Sequence, residues 1–534
     1  VGSAAAIIAV CSFVSALLAL FRDRLLAGTF GAGDELDIYY AAFRIPDFVA
    51  MVLVMGAISA AIIPIFSSYL ARSEKEAFDF LSNLINVFFV SLILVSAVLI
   101  IFIPQLISLI APGFEGEKKD LTILLSRIMF LSPVLLGISN IVSGVLRVFK
   151  RFLAASVAPI MYNIGIILGI LFFVPVFGIK GLAFGVVLGG FLHLAIQMPV
   201  LLKVGFVPLK RIKFLDPGIL KTIKLTIPRA IGLAAGQINL IVITAIGSTL
   251  AAGSVAVFNL AYNLRNLPIN LIAISLSTAV FPFMSLSFSM GKKEELKSRF
   301  SLVFRQIVFL IVPISFLMFI LRAQIIRIIL GTGKFAWVDT RLTAACLGIF
   351  SIGVAAYGLS LLINKTFYAF HNTKIPAIVT LLTVGLNIAL SYFFIWALSF
   401  ENFFQKSLIG FLDLQGIREN MVVGLALALA LSGIFQLKIL FLFLWKKLGD
   451  FNVKEIAISM AKICLASFLL IAVSLAVRDF TASLVDMQTF LGIFLQAAFS
   501  ALAGLLVYVL AALILKLKEI NAVKTLIFRK INGN

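Results

Sequence analysis

Between Phe21 and Asp47 the chain places Arg22, Asp23, Arg24, Asp37, Arg44 and Asp47 at or near the ends of two otherwise apolar stretches. A guanidinium offers a planar fork of donors that matches phosphate oxygens two at a time, so Arg22 and Arg44 are candidates for gripping a diphosphate. The competing reading pairs Arg22 with Asp23 or Asp37, and Arg44 with Asp47, as structural ion pairs. Farther on, Asn259, Asn263, Asn266 and Asn270 are spaced four, three and four residues apart, which draws one carboxamide stripe down a helix face beside Arg265. Such a stripe can hydrogen-bond sugars or peptide amides; bonding between helices would typically use one or two such residues rather than four. Arg229, directly after Pro228, is the later charge expected to face inward.

The elements that carry these groups follow from composition. Over 534 residues the chain is 62% hydrophobic and 13% charged, about half the charged fraction of a soluble domain. It reads as an all-α polytopic membrane protein. A formal charge of +21 would suggest nucleic acid in a soluble chain, but here the basic residues sit between apolar runs, so membrane lipids are the expected partner and nucleic acid is not. A charge at the centre of a spanning helix costs about 2.5 to 3.5 kcal/mol and therefore normally faces protein or a wet cavity. The charges near Arg22 are accordingly expected to line a central, cationic, water-filled cavity that passes an anionic lipid headgroup. With two His, no metal-ligand spacing, no phosphate-binding Gly-Lys-Ser/Thr loop and no Gly-x-Ser-x-Gly, the chain does not read as an enzyme or as driven by ATP. Cys11, Cys346 and Cys464 lie in apolar runs and read as core filler.

Apolar runs long enough to span a bilayer, about 20 residues each, fall at 4–29, 37–70, 79–103, 121–148, 153–174, 181–202, 219–246, 254–287, 300–321, 341–370, 375–398, 420–444, 455–477 and 489–515. These are fourteen, and the first carries no cleavable-signal pattern and is expected to be kept. An even count puts both termini on one side. The connections on that side hold the larger share of Lys and Arg, including Lys150, Arg151, Lys203, Lys210, Arg211 and Lys213, which predicts cytoplasmic termini. Segments 104–120 and 322–340 are expected as short interfacial helices, 399–419 as an inserted outer loop with an amphipathic piece, and 516–534 as a basic cytoplasmic tail. No carboxylate stands out in the middle of spans 7, 8, 11 or 12, so a coupling ion is not visible and no cofactor is expected. Membrane potential alone would favour outward movement of an anion by roughly 2.3 kcal/mol per charge per 100 mV.

Ser59-Ala-Ala-Ile-Ile-Pro64 recurs as Ser277-Thr-Ala-Val-Phe-Pro282, and Gly181-Leu-Ala183 with Gly190 recurs as Gly424-Leu-Ala426 with Gly433. The repeat implies two similarly oriented six-span lobes, 1–217 and 218–446, with a site at their interface, an arrangement suited to alternating access. Spans 13 and 14, in 447–515, fall outside it.

The chain resembles the MurJ/MviN lipid II flippase family of the multidrug/oligosaccharidyl-lipid/polysaccharide exporter superfamily. The likeness rests on Arg22-Asp23, Phe30-Gly-Ala-Gly33, Asp37, Ala42-Phe-Arg-Ile-Pro46, Gly56-Ala57, Arg151-Phe152 with Asn163, Gly253-Ser-Val255, Gly333-Lys-Phe335 and Asn372-Thr-Lys374. The resemblance implies a bacterial inner-membrane flippase that carries lipid II, an undecaprenyl-diphosphate-linked peptidoglycan precursor, from the cytoplasmic to the outer leaflet. It also implies that spans 13 and 14 form a groove for the lipid tail, and that other cell-wall synthesis proteins are candidate partners. The chain departs from the family pattern at Ala16, Ala50, Met55 and Asn263, where charged family residues would fall, with Arg265 a possible replacement for the last. That departure keeps two alternatives open, a flippase for another polyprenyl-linked saccharide and a non-transporting scaffold of cell-wall synthesis. The site residues carried forward are Arg22, Asp23, Asp37, Arg44, Arg229, Asn259, Asn263, Arg265, Asn266 and Asn270.

Overall fold

The computed structural model describes residues 2–55, 62–417 and 419–520. Its regular elements are all helical and divide into two compact units, Val1–Ala256 with Thr332–Phe335, and Val257–Gly331 with Ala336–Asn534.

The first unit holds α1 (Gly2–Phe30), α2 (Asp34–Val49), α3 (Ile63–Leu70), α4 (Glu74–Ile110), α5 (Gly116–Met129), α6 (Leu131–Val148), α7 (Phe152–Leu168), α8 (Val174–Phe177), α9 (Lys180–Ala195), α10 (Met198–Lys203) and α11 (Pro217–Ser248). Helix starts follow local chemistry: the Ser73 hydroxyl accepts from the Glu76 amide at 3.5 Å, and Asp216 accepts from the Gly218 amide at 2.9 Å. Spacing of small residues governs the packing of α7 on α9. A Cβ on Gly165 would lie 2.3 Å from the Gly189 Cα, and one on Gly169 would lie 2.4 Å from the Gly185 Cα. The small residues recur every four positions, so each helix presents a smooth strip on which backbones can meet. Gly165→Leu is therefore expected to separate α7 from α9, seen as a lower unfolding temperature in detergent, whereas Gly236→Leu, with open space around its Cβ, should leave it unchanged.

α12 (Ser254–Pro268) begins at the end of the first unit and runs into the second, followed there by α13 (Ser275–Ser289), α14 (Lys293–Ile320), α15 (Arg322–Leu330), α16 (Trp337–Ala369), α17 (Lys374–Leu398), α18 (Phe403–Phe411), α19 (Val422–Leu448), α20 (Val453–Ala482) and α21 (Phe490–Ile514). α16 packs on α14 and α19, and α20 pairs with α21. The apolar core joins Phe300, Phe304, Leu362, Phe367, Leu440 and Ile463.

Prolines inside helices explain two of the ties between elements. Proline has no amide hydrogen, so it frees the carbonyl four residues earlier, and within a bilayer that oxygen needs another donor. Pro46 frees the Ala42 carbonyl, which accepts from the Ser126 hydroxyl of α5 at 3.0 Å. Pro313 frees the Phe309 carbonyl, which accepts from the Tyr508 hydroxyl of α21 at 2.7 Å. Tyr508→Phe should loosen α21 from α14 at a cost of about 1 kcal/mol, measurable as faster proteolysis of the α20–α21 hairpin.

Eleven helices among the described residues are long and apolar enough to cross a membrane. Three further runs expected to span are helical as well: α1, whose first side chains lie outside the described residues, the α2 region with its acidic first turn, and α11, whose apolar part is Leu233–Ser248. Segment 104–120 differs from expectation. α4 continues through Pro104 to Ile110, because the apolar run does not stop there, and α5 begins at Gly116. Segment 322–340 contains the expected short helix, α15, and 399–419 contains α18. Ser59 of the first repeat and the tail beyond residue 520 lie outside the described residues. The second pair of repeat motifs opens equivalent helices: Gly181 begins α9, which packs on α7, and Gly424 begins α19, which packs on α17.

Candidate functional site

Arg22 sits on the third-last turn of α1, and its side chain retains 19% of its surface exposed. Its Nε and Nη2 donate to one oxygen of Asp23, Oδ1, at 3.0 and 2.7 Å, and Nη1 donates to Asn163 Oδ1 at 3.2 Å. Asn163 is itself fixed by donating to the Pro159 carbonyl at 3.1 Å and to the Ser15 hydroxyl at 3.3 Å. Of the two carboxylates offered by the sequence, Asp23 is thus the partner of Arg22. A guanidinium has five N–H donors, and three of those of Arg22 are held by Asp23 and Asn163.

Asp37 does different work. Only 1% of it is exposed. Its Oδ1 accepts from the Ala256 amide and its Oδ2 from the Gly253 amide, both at 2.8 Å, which sets a carboxylate on the N-terminus of α12, where the helix dipole favours it. Lys118 completes the arrangement, 3.2 Å from Asp37 Oδ2 and 2.5 Å from Asp34 Oδ1, with its ammonium 4.1 Å from the Phe114 ring centre. Gly253 adopts a φ of +84°, and a Cβ there would lie 1.8 Å from the Ala32 carbonyl oxygen. Beside it, the Lys334 amide donates to the Gly28 carbonyl at 2.8 Å, and a Cβ on Gly333 would come within 2.2 Å of the same oxygen. The start of α12 and the Thr332–Phe335 strap are thus both held against the end of α1 and the turn that follows it.

Arg44, half-buried on α2, donates from Nε to Thr244 Oγ1 of α11 at 2.7 Å. Arg229 lies within α11, and its side chain falls outside the described residues. In the second unit Asn259 is buried, Asn263 and Asn266 are half-buried and Asn270 is exposed. The winding changes to π at Ile269–Ile274, so Asn270 follows the other three across a break in helical register. Arg265 is 2% exposed, with its guanidinium carbon 4.1 Å from the Tyr357 ring, 5.0 Å from Tyr262 and 5.5 Å from Phe350; its Nη2 is buried without a hydrogen-bond partner among the described residues. The aromatic faces hold the cation through their quadrupoles. Lys365 bonds Thr278 Oγ1, and His193 Nδ1 lies 2.6 Å from the Ser139 hydroxyl.

The family profile described as lipid II flippase MurJ matches residues 26–495. The chain belongs to this MurJ family. It is 31% identical over 396 residues to the probable lipid II flippase MurJ of Buchnera aphidicola subsp. Schizaphis graminum, covering 73% of this chain and 77% of that one. It is 29% identical over 387 residues to the probable lipid II flippase MurJ of Borreliella burgdorferi, with 72% and 76% covered. A solved lipid II flippase MurJ in an inward closed conformation superposes with a TM-score of 0.75 at 26% identity, over 95% of this chain and 98% of that one. A multidrug transporter of the MATE family in an inward-facing conformation shares the fold, with a TM-score of 0.69 at 14% identity over 82% and 95%. Asp37, Arg44 and the α12 residues lie inside the stretch matched by the MurJ profile, and Arg22 and Asp23 lie just before it.

Two members of this site escaped the sequence reading. Lys118 carries no signal in the sequence, since nothing in spacing ties it to Asp37, 81 residues away. Asn163 entered only as part of a MurJ-like motif, and its bond to Arg22 across 141 residues has no local signature.

Proposed function

We propose that this chain is a lipid II flippase of the bacterial inner membrane, moving the diphosphate-linked headgroup from the cytoplasmic to the outer leaflet by alternating access while the lipid tail stays in the bilayer. The observation that carries the reading is the likeness to a solved lipid II flippase along 95% of the chain. With α1, the α2 region and α11 counted beside the eleven apolar helices, the spans number fourteen. On this reading they form lobes 1–217 and 218–446, a tail groove in 447–515 and a basic cytoplasmic tail in 516–534, with both termini cytoplasmic. Arg22 offers its guanidinium to the diphosphate, with Arg44 and Arg229 adding cationic character to the path. Asn259, Asn263 and Asn266 serve the sugar and peptide amides, with Asn270 at the stripe's exposed end. Asp23 orients Arg22, and the clasp made by Asp37 and Lys118 holds the start of α12 in one state of the cycle. No covalent bond changes, so the membrane potential or an ion gradient supplies direction.

A second reading, a flippase for a different polyprenyl-linked saccharide, is favoured by Arg265, whose guanidinium is enclosed by aromatic rings. Expression in a bacterium depleted of its own lipid II flippase separates the two. Restored growth and cell shape are expected; lysis despite correctly inserted protein would remove lipid II as the substrate.

A further inference from the structure

The segment between α10 and α11 is an irregular strap, with turns at both ends, pinned along α4. Asn83 makes a two-way amide pair with Lys213, donating to its carbonyl at 3.0 Å and accepting from its amide at 2.7 Å. Asn86 donates to the Leu209 and Arg211 carbonyls at 2.7 and 3.0 Å. Ser82 donates to the Val207 carbonyl and accepts from the Leu209 amide, each at 3.4 Å. The strap's backbone is thus tied to α4; Phe206 and Arg211 also turn toward it, onto Phe78 and Asp79, while most of the other side chains are exposed.

What they present is unusual for a surface facing only water. Leu215 is 83% exposed and Val207 66%, and Leu209, Ile212 and Phe214 are exposed as well. Interleaved with them are Lys210, Arg211 and Lys213, with Lys203 before them and Lys221 and Lys224 on the first turns of α11, all but Arg211 exposed. From residue 203 to 224 the single acid is Asp216, whose Oδ1 is occupied in capping α11. Arg211 reaches Asp79 at 3.5 Å, and its side chain is still 39% exposed. Arg211, Lys213, Phe214, Leu215, Asp216 and Pro217 border an open cleft of about 540 Å³.

Apolar side chains alternating with cations match one environment, the boundary between acyl chains and anionic headgroups. There the apolar groups enter the hydrocarbon edge while the basic groups extend to phosphate oxygens. We propose that the 203–217 strap is a binding site for anionic phospholipid, with Leu215, Phe214 and Ile212 seated at the acyl boundary and Lys210, Arg211 and Lys213 on the lipid phosphates, one of them in the cleft. The strap joins α10 to α11, so the lipid it holds anchors the connection between the two halves of the internal repeat. The net charge selects anionic over zwitterionic headgroups, since each basic residue near an anionic surface adds an increment of attraction.

A nitroxide at Leu215→Cys, with Cys11, Cys346 and Cys464 replaced by Ala, reads this directly in reconstituted vesicles. In vesicles containing phosphatidylglycerol, collisions with oxygen should dominate over those with a water-soluble nickel chelate. In phosphatidylcholine vesicles the preference should fall at least fivefold. Lys210→Gln/Arg211→Gln/Lys213→Gln should give the phosphatidylcholine result in both vesicles, with the α7–α9 packing and unfolding temperature unchanged. Added inorganic phosphate should alter nothing, because the ligand is the lipid and not a free anion. A label equally open to the nickel chelate in both vesicle types, or a triple variant that behaves as the parent does, overturns the proposal. The readout contains no transport step, so its outcome is independent of the flippase assignment.

Discussion

Arg22→Ala is expected to abolish lipid II export while leaving the protein inserted and folded. The side chain is held by Asp23 and Asn163; on its removal Asn163 still bonds Pro159 and Ser15, whereas buried Asp23 loses its guanidinium, so the unfolding temperature is read beside export and Arg22→Gln serves as a milder variant. What is lost is the fork aimed at a diphosphate. Charge-assisted hydrogen bonds are worth about 1.5 to 3 kcal/mol each, and losing two slows a step that depends on them by at least about 100-fold, at 1.4 kcal/mol per factor of ten. Arg22→Lys should recover little, because an ammonium keeps the charge and loses the fork. Outer-leaflet lipid II measured in cells depleted of their own flippase checks this, and an export rate within threefold of the parent for Arg22→Ala would remove Arg22 from the substrate path.

Asp37→Ala should be the most damaging change to both stability and transport. It deprives the Gly253 and Ala256 amides of their acceptor and leaves Lys118 with Asp34 alone, whose side chain is 59% exposed. Removing one member of a buried charged pair typically costs about 3 to 5 kcal/mol. If the clasp is made and released in every cycle, a loss of that size shifts the population of the clasped state by a factor of roughly 100 or more. Asp37→Asn keeps one acceptor and should fall between the parent and Asp37→Ala in both unfolding temperature and export. Equal export from all three proteins would show that the contact to α12 is structural only.

Much of the architecture was legible because its cause is local. Apolar length acts within the span that carries it, so the runs could be read directly; the strip of Gly165, Gly169, Gly185 and Gly189 and the caps at Ser73 and Asp216 are equally local but formed no part of the sequence expectation. Contacts set by distant residues were not legible. Pro46 announces a freed carbonyl, but nothing near it names Ser126 as the donor, just as Pro313 does not name Tyr508. The same limit applies to the site. The Asn259–Asn270 stripe follows from a constant helical repeat, and the π winding from Ile269 breaks that assumption before Asn270 is reached. Arg265 read as a cavity cation because its charge was visible, while the rings of Phe350 and Tyr357 that enclose it come from a different helix. Arg22 offered two acidic partners, Asp23 beside it and Asp37 a full helix away on α2, and its guanidinium is bonded to Asp23.

The decisive measurement is translocation by the purified chain in liposomes that carry fluorescent lipid II in both leaflets, with a membrane-impermeant reductant bleaching the outer pool. The parent protein is expected to bring the protected inner pool to the outside, and Arg22→Ala in the same vesicles to leave it protected. A protected pool as stable with the folded, inserted parent protein as in protein-free liposomes, with or without an imposed membrane potential, would contradict lipid II flipping by this chain.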